Sequence, residues 1–444
     1  DHDFIASRTE NIDELKAKVR EYAPEKVSRI TGISPETLQE IALLYGRADR
    51  AMILYAMGIT QHLTGTDNVK ALSNLALATG NIGRPSTGVN PLRGQNNVQG
   101  ACDMGALPDV LTAYKKVSDQ AERKRFEDAW QASIPDTPGL TLGEMMNNAV
   151  QGTLKGMLVV GENPMISDPD TGHVKKALQA LELLVVQDMF LTETAQLADV
   201  VLPACSFAEK DGTFTNTERR VQLVRQALEP LGQSKPDWVI VSELAKAMGA
   251  GGFEYASPAE IMQEIAALTP TYAGISHQRL EAGESLQWPC PDETHPGTPY
   301  LHGTEFPRGK GLFFALDHVP PAEMPDEDYP FLLSTGRIPF HFHGGSMSRK
   351  IERLNREAPT GQVDIHPEDA ERLGLDEGIR VTVSSRRGAI SLPVHVSREL
   401  DPGIVFIPMH FSECGVNTLT GTRVDPVSKI PGLKVSAVKI EKTG

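Results

Sequence analysis

"GMLVVGENPMISDPDTGHVKKALQALELLVVQDMFLTETAQLADVVLPA", residues 156–204, is the stretch on which the fold turns. The apolar runs "MLVV", "LLVV" and "VVL" each stop at a polar loop, and "TGHVKKALQAL" between the first two carries apolar residues at helical spacing. Strand, loop, helix and strand at this interval are the signature of βαβ units with a parallel sheet and right-handed connections. In such sheets ligands gather beyond the carboxyl ends of the strands. Gly161-Glu162-Asn163-Pro164 and Gln187-Asp188 fall at those ends. An acidic side chain there suits the hydroxyls of a ribose or the amine of a guanine, and plain strand ends are the alternative reading.

Upstream, "NIDELKAKVREYAP" is helical, and Ser34-Pro35-Glu36-Thr37 opens the next helix with Ser as cap and Pro as its first residue. "RAMILYAMGI" reads as a short buried strand, and "TDNVKALSNLALATGNIGRP" as a helix with a Gly-rich exit. Downstream, "VIVSELAKAMG" and "PAEIMQEIAAL" are helices. Residues 287–330 are rich in Pro and Gly and read as an extended connection on the surface, with a boundary near Pro320 to Asp328. Beyond Tyr329 the pattern alternates as β: "PFLLSTGR", "QVDIHP", "IRVTVSSRRGAISLPVHVS", "GIVFIP" and "VSAVKIEK". One helix, "PEDAERLGL", interrupts them, and the set favours a small barrel.

A chain of 444 residues exceeds one ordinary core. Its 40% hydrophobic and 23% charged residues are those of a globular protein. No apolar run approaches the ~18 residues of a membrane helix. The net charge of −15 argues against nucleic acid as the main partner. The basic runs "SSRRG" and "RKIERLNR" are expected to be solvated faces. Cys102, Cys205, Cys290 and Cys414 lie far apart without any C-x2-C pair, so neither a self-contained iron–sulfur or zinc site nor a disulfide framework is expected. The opening "DHDFIASRTE" shows no secretory pattern and no initiator Met, so the chain is read as processed or as a piece of something longer.

"NPLRGQNNVQGACDMG", residues 90–105, surrounds Arg93 with Gln95, Asn96, Asn97 and Gln99, while Gly94 and Gly100 permit close backbone approach. A surface arginine is the plain reading. The alternative is a preorganised anion site, because a planar guanidinium held by amides grips a small carboxylate through two parallel hydrogen bonds. "GRIPFHFHGGSMSRK" gathers Arg337, His341, His343 and Ser346 after a strand. Its two histidines, read at i and i+2 on a strand face, lack a third metal ligand, and a polar loop gripping phosphates is the better functional reading. "HFSECGVNTLT" and "DPVSKIPGLK" are polar loops closing the same barrel. No G-x-S-x-G, P-loop lysine motif, H-E-x-x-H or complete G-x-G-x-x-G after a strand is present. Pattern alone gives an α/β protein that binds a nucleotide-like ligand and a small anion.

The segment "GITQHLTGTDNVKALSNLALATGNIGRPSTGVNPLRGQNNVQGACDMGALPD" resembles the formate dehydrogenase catalytic subunits of the molybdopterin oxidoreductase family related to dimethyl sulfoxide reductase. So do "VVGENP", "VVQDMFLTETAQLADVVLPACSFAEKDGTFTNTERRVQ", "LSTGR" and "DPVSKIPGLKVSAVKI". The resemblance covers almost the whole chain. It implies Rossmann-like parallel-sheet domains followed by a six-stranded, double-psi-type β-barrel that caps the cofactor. The segments are then 1–95, the remainder of an α/β domain begun upstream; 96–207, a dinucleotide-binding α/β domain; 208–325, a mixed segment with the extended connection; and 326–444, the barrel.

By the same resemblance the reaction is two-electron oxidation of formate to carbon dioxide, at molybdenum or tungsten held by two molybdopterin guanine dinucleotides. Arg93 orients the formate carboxylate and Gln95 lies beside the pterin. Gly161, Glu162, Asn163, Gln187 and Asp188 hold the guanosine end of one dinucleotide, and Arg337, His341, Ser346, Asn417 and Lys434 line the pterins. The family's [4Fe–4S] domain and its Cys or selenocysteine metal ligand followed by His are not found in this sequence, so the resemblance places them in a missing amino-terminal segment, and none of the residues present is assigned to the metal. That segment and an electron-transfer subunit are the implied partners. A nitrate reductase relative, or a folded fragment without redox activity, stays open beside the main reading. So do cytoplasm and periplasm, since a twin-arginine signal would lie in the missing part.

Overall fold

The computed structural model describes residues 1–443. After a short helix at His2–Arg8 come three more: α1 (Ile12–Val19), α2 (Pro24–Thr31) and α3 (Pro35–Arg47). Ser34 caps α3 by accepting from Thr37 N at 3.1 Å, with Pro35 in the first turn. β1 (Met52–Tyr55) pairs in parallel with β2 (Gly88–Pro91), and α4 (Gly65–Thr79) lies between them, ended by Gly80 in the left-handed conformation. β1 is not the buried strand that its apolar run suggests. Met52 and Leu54 are 48% and 59% exposed, because a two-stranded ribbon covers only one side of the strand.

After α5 (Val98–Asp103) and α6 (Leu142–Val150) comes the βαβ region: β3 (Gly156–Val160), α7 (Thr171–Gln179), β4 (Leu183–Asp188) and β5 (Val200–Pro203). The three strands are parallel in the order β3-β4-β5. Val159, Leu184 and Val186 on one face pack against Val174, Ala177 and Leu178 of α7 and Met146 and Ala149 of α6. The other face carries Leu158, Val160, Leu183 and Val200 exposed. A hairpin of β6 (Gly212–Thr215) and β7 (Arg220–Val224) follows, then α8 (Asp237–Ala247) and α9 (Pro258–Leu268).

Residues 287–330 run mostly over the surface, as expected, but are pinned at a few points. Cys290 and Phe313 are fully buried and Phe306 nearly so, and Gly311 and Leu312 pair in parallel with Thr9 and Glu10. Isolated apolar side chains anchor it in two cores without making a periodic pattern.

The final segment is a closed six-stranded barrel. Its strands are β8 (Phe331–Gly336), β9 (Val363–Ile365), β10 (Arg380–Ser384), β11 (Ala389–Val396), β12 (Ile404–Pro408) and β13 (Ser436–Lys442), ordered β8-β12-β9-β11-β10-β13. β8/β12 and β9/β11 are parallel, and antiparallel β13/β8 closes the ring. Alternation aims Leu333, Val363, Ile365, Val381, Val383, Leu392, Val405, Ile407 and Val438 inward, all fully buried. Each such side chain contributes roughly 1.5–3 kcal/mol through burial. Besides the expected helix, found at Pro367–Leu373, a second short one spans Glu352–Glu357. The basic runs are solvated only in part: Lys350, Arg353, Arg356 and Arg386 are exposed, but Arg386 and Arg387 both pair with Glu323, and Arg349 donates to Pro359 O and Glu413, each at 2.8 Å. The Glu323 pairs tie the preceding connection to the barrel, and Arg349 ties two barrel loops together.

Candidate functional site

The barrel turns two loops, 337–350 and 410–434, toward the carboxyl ends of the parallel strands. Asn163, directly after β3, donates to Ser346 Oγ at 3.1 Å and to Glu193 at 2.9 Å, and accepts from the Thr194 hydroxyl at 2.7 Å. Asn417 donates to Ile166 O at 2.8 Å and Ser167 O at 3.0 Å. Both amides were expected to face a ligand, yet both are occupied by protein partners, and each holds the barrel against the parallel sheet. Thr66, at the start of α4, adds a third tie, its hydroxyl donating to Asp425 at 2.8 Å.

One end of the seam between barrel and sheet is acidic. Gly161 takes a left-handed φ of 62°, which lets the chain turn sharply off β3 and leaves Glu162 exposed beside the end of β4. Gln187 is fully buried. Its Nε2 donates to Asp237 at 2.8 Å, while its Oε1 has no partner among the described residues. Burial above all raises the Asp188 carboxyl, and the charges of Asp237 and Glu162 push the same way. Asp168 is raised to about 7 by burial, with Glu162 adding to it against a hydrogen bond from Ser167. Acceptors here outnumber donors, so the surface suits a ligand rich in N–H and O–H groups.

The other end is basic. A Cβ on Gly94 would stand 3.1 Å from Arg337 Nη1, which puts the Arg93 turn against the first residue after β8. Arg337 also reaches Met57 Sδ at 3.7 Å. Lys434 donates to Thr335 O at 2.6 Å, and burial, with Arg337 nearby, pulls its ammonium below the usual range. Arg93 itself is held side-on: Nε and Nη2 both donate to Gln99 Oε1, at 3.1 and 3.0 Å. Gln95 is half-buried in the same turn. Gly100 is needed where it stands, since a Cβ would overlap Asn97 Oδ1, which accepts from Thr215 N at 2.8 Å.

His343 joins the two ends, feeling both Glu162 and Arg337 while burial pulls its imidazole down. The histidines lie in a turn beyond β8 rather than on a strand face. His341 is buried with Nε2 on Ala358 O at 2.8 Å, and its Nδ1 is unpartnered among the described residues. His410 was missed in the sequence. Its Nε2 accepts from Ile338 N at 2.9 Å, so Nδ1–H donates to His343 O, and the neutral ring clamps both flanks of the loop. Asp103 was missed as well. It is fully buried and sits behind Gln99, accepting its Nε2 at 2.7 Å. The i, i+4 spacing of Gln99 and Asp103 on α5 was the signal that could have found it.

Two family models match separate parts of the chain. The family model "Molybdopterin oxidoreductase" matches residues 6–247, and "Molydopterin dinucleotide binding domain" matches residues 331–437. The chain is 50% identical over 445 residues to the F420-dependent formate dehydrogenase subunit alpha of Methanocaldococcus jannaschii, covering 100% of this chain and 66% of that protein. It is 39% identical over 447 residues to formate dehydrogenase H of Escherichia coli, covering 99% and 62%. The chain thus spans about two thirds of the length of the curated relatives it matches. Among solved structures, acetylene hydratase from Pelobacter acetylenicus aligns with a TM-score of 0.78 at 18% identity, over 100% of this chain and 68% of that one, a likeness of fold. With one family model covering more than half of its length and a second covering the barrel, the chain belongs to the molybdopterin oxidoreductases, whose cofactor is a molybdopterin dinucleotide.

Proposed function

We propose that this chain is the part of a formate dehydrogenase alpha subunit that holds the molybdopterin guanine dinucleotides and grips formate. In the complete polypeptide the reaction is oxidation of formate to carbon dioxide, a proton and two electrons. The observation that carries the reading is the side-on hold of Arg93 by Gln99 Oε1, which leaves Nη1 without a protein partner among the described residues, in the turn whose Gly94 packs against Arg337. A guanidinium so fixed presents N–H groups to a small carboxylate. The relatives at 50% and 39% identity are formate dehydrogenases, which supports the same substrate.

The residues present fit the dinucleotide. Gln187 Oε1, buried and unpartnered, is an acceptor for a guanine N–H, and Glu162 and Asp188 are acceptors for guanosine hydroxyl or amine groups. Arg337 and Lys434 would offset the phosphates and pterin oxygens, with Gln95, His341 and Ser346 along the same wall. Asn163 and Asn417 serve by fixing the barrel over the strand ends. When bound, the cofactor's molybdenum or tungsten takes up the two electrons. Arg93 orients the carboxylate, and the surrounding loops restrict water. We propose the four segments 1–95, 96–207, 208–325 and 326–444 as the units that assemble this site. We further propose a preceding segment with a [4Fe–4S] cluster and the metal's protein ligand, and an electron-transfer subunit beyond it. No helix among the described residues is long and apolar enough to cross a membrane.

The test is formate-dependent reduction of a viologen dye by the complete subunit. Turnover with formate is expected. Turnover with nitrate and reduced dye, but none with formate, would overturn the substrate.

A further inference from the structure

We propose that Asp103 is a positioning residue for Arg93 and acts on it only through the side-chain amide of Gln99. The inference rests on Arg93 being the anion grip, and it names the device that sets that grip. Asp103 is fully buried at the end of α5 and accepts three hydrogen bonds, from Gln99 Nε2 at 2.7 Å, Tyr114 OH at 2.9 Å and Tyr272 OH at 2.6 Å. Burial first, and then the Asp103 charge, raise both phenols well above their usual range, so both stay donors. Arg219 on the far side spends its own N–H groups on Thr298 O at 3.0 Å and Pro299 O at 3.2 Å. Its charge still reaches Asp103, with no ion pair between them among the described residues.

A side-chain amide has a donor end and an acceptor end, and which way it faces is set by its partners. The Asp103 carboxyl accepts from three donors here. With Tyr114 OH, itself a donor to Asp103 and an acceptor from the same Gln99 Nε2 at 3.0 Å, it draws the Gln99 NH2 toward itself, which leaves Oε1 facing Arg93, where it bridges Nε and Nη2. Orientation passes along the relay while charge does not. A direct ion pair between Asp103 and Arg93 would hold the guanidinium equally well but offset the charge that attracts a carboxylate substrate. The neutral amide separates the two effects.

The test uses the complete subunit. Asp103→Asn is nearly isosteric but can donate to Gln99, so the amide is free to reverse and turn its NH2 against Arg93. The formate KM is expected to rise by roughly tenfold to a hundredfold, the scale of one charge-assisted hydrogen bond, with a smaller fall in kcat. Gln99→Met removes the relay at similar volume and is expected to raise KM alike. In the Gln99→Met background, Asp103→Asn should change KM by less than about twofold, because its only route to Arg93 is already cut. Multiplicative effects in the double variant, or unchanged KM in Asp103→Asn, would overturn the proposal. Crystal structures give a second readout independent of turnover. Arg93 should leave residue 99 in both single variants, and an unmoved Arg93 in Asp103→Asn would equally overturn the relay. If the wild type fails to oxidise formate, the substrate reading falls, while the position of Arg93 still decides this one.

Discussion

Asn417 Nδ2 lies 2.8 Å from the carbonyl oxygen of Ile166, a contact between residues 251 apart in the chain. It joins a barrel loop to the turn that follows β3, and the bond to Ser167 O doubles the tie between barrel and sheet. Asn417→Leu would leave two carbonyls without their partner beside an apolar side chain. The expected cost is about 2–3 kcal/mol of stability. Urea unfolding checks it: a lower midpoint at unchanged slope is expected, with weaker retention of guanine nucleotide.

Asp168 gives a pH signature. Its carboxyl, buried beside Glu162, titrates at about 7, whereas the unfolded group titrates near ~4. Between these values the folded state binds more protons, so stability falls as pH rises through the window. Asp168→Asn removes that slope. Its melting temperature relative to wild type should be higher at pH 8 than at pH 5 by roughly 2–4 °C, measured on the cofactor-free chain. Parallel profiles would show that the carboxyl is not buried as a charge.

His410 runs the other way. Burial, with the charges of His341, Arg337 and His343 nearby, holds its folded pKa at about 4, against ~6.5 unfolded. The unfolded state binds more protons between those values, so stability is lost as pH falls through them. His410→Phe also strips the partners from Ile338 N and His343 O, at roughly 1–3 kcal/mol. Its stability should depend less on pH between 4 and 6.5 than that of wild type, which thermal melts across that range would register.

Arg93→Lys keeps the charge and removes the planar fork. In the complete enzyme the formate KM should rise and turnover should fall, by about tenfold in kcat/KM for each hydrogen bond lost. Unchanged kinetics would remove Arg93 from the substrate site.

The strands β3 to β5 and the barrel were legible because burial on a regular face imposes a period on the sequence. Val159, Leu184, Val381 and Val383 each declare their environment locally. What escaped depends on partners far along the chain. Nothing near Asp103 tells that Tyr272, 169 residues later, will point its hydroxyl at it. "SSRRG" looks like a charged surface until Glu323 and Asp326, some sixty residues earlier, close on it. Asn417 and Asn163 look equally suited to a ligand or to a backbone carbonyl, and only the tertiary structure assigns them. Residues 287–330 bury single side chains at irregular intervals, which no periodicity test detects.

The most direct test of the account is the amount of guanine nucleotide released by acid from the purified complete subunit, alongside its molybdenum and tungsten content. Two guanine nucleotides per metal atom are expected for wild type, and less for Gln187→Leu, which replaces the unpartnered acceptor at the acidic end of the seam. A wild-type subunit that turns over formate but releases no guanine nucleotide, or a Gln187→Leu variant that retains it in full, would contradict the assignment of this site.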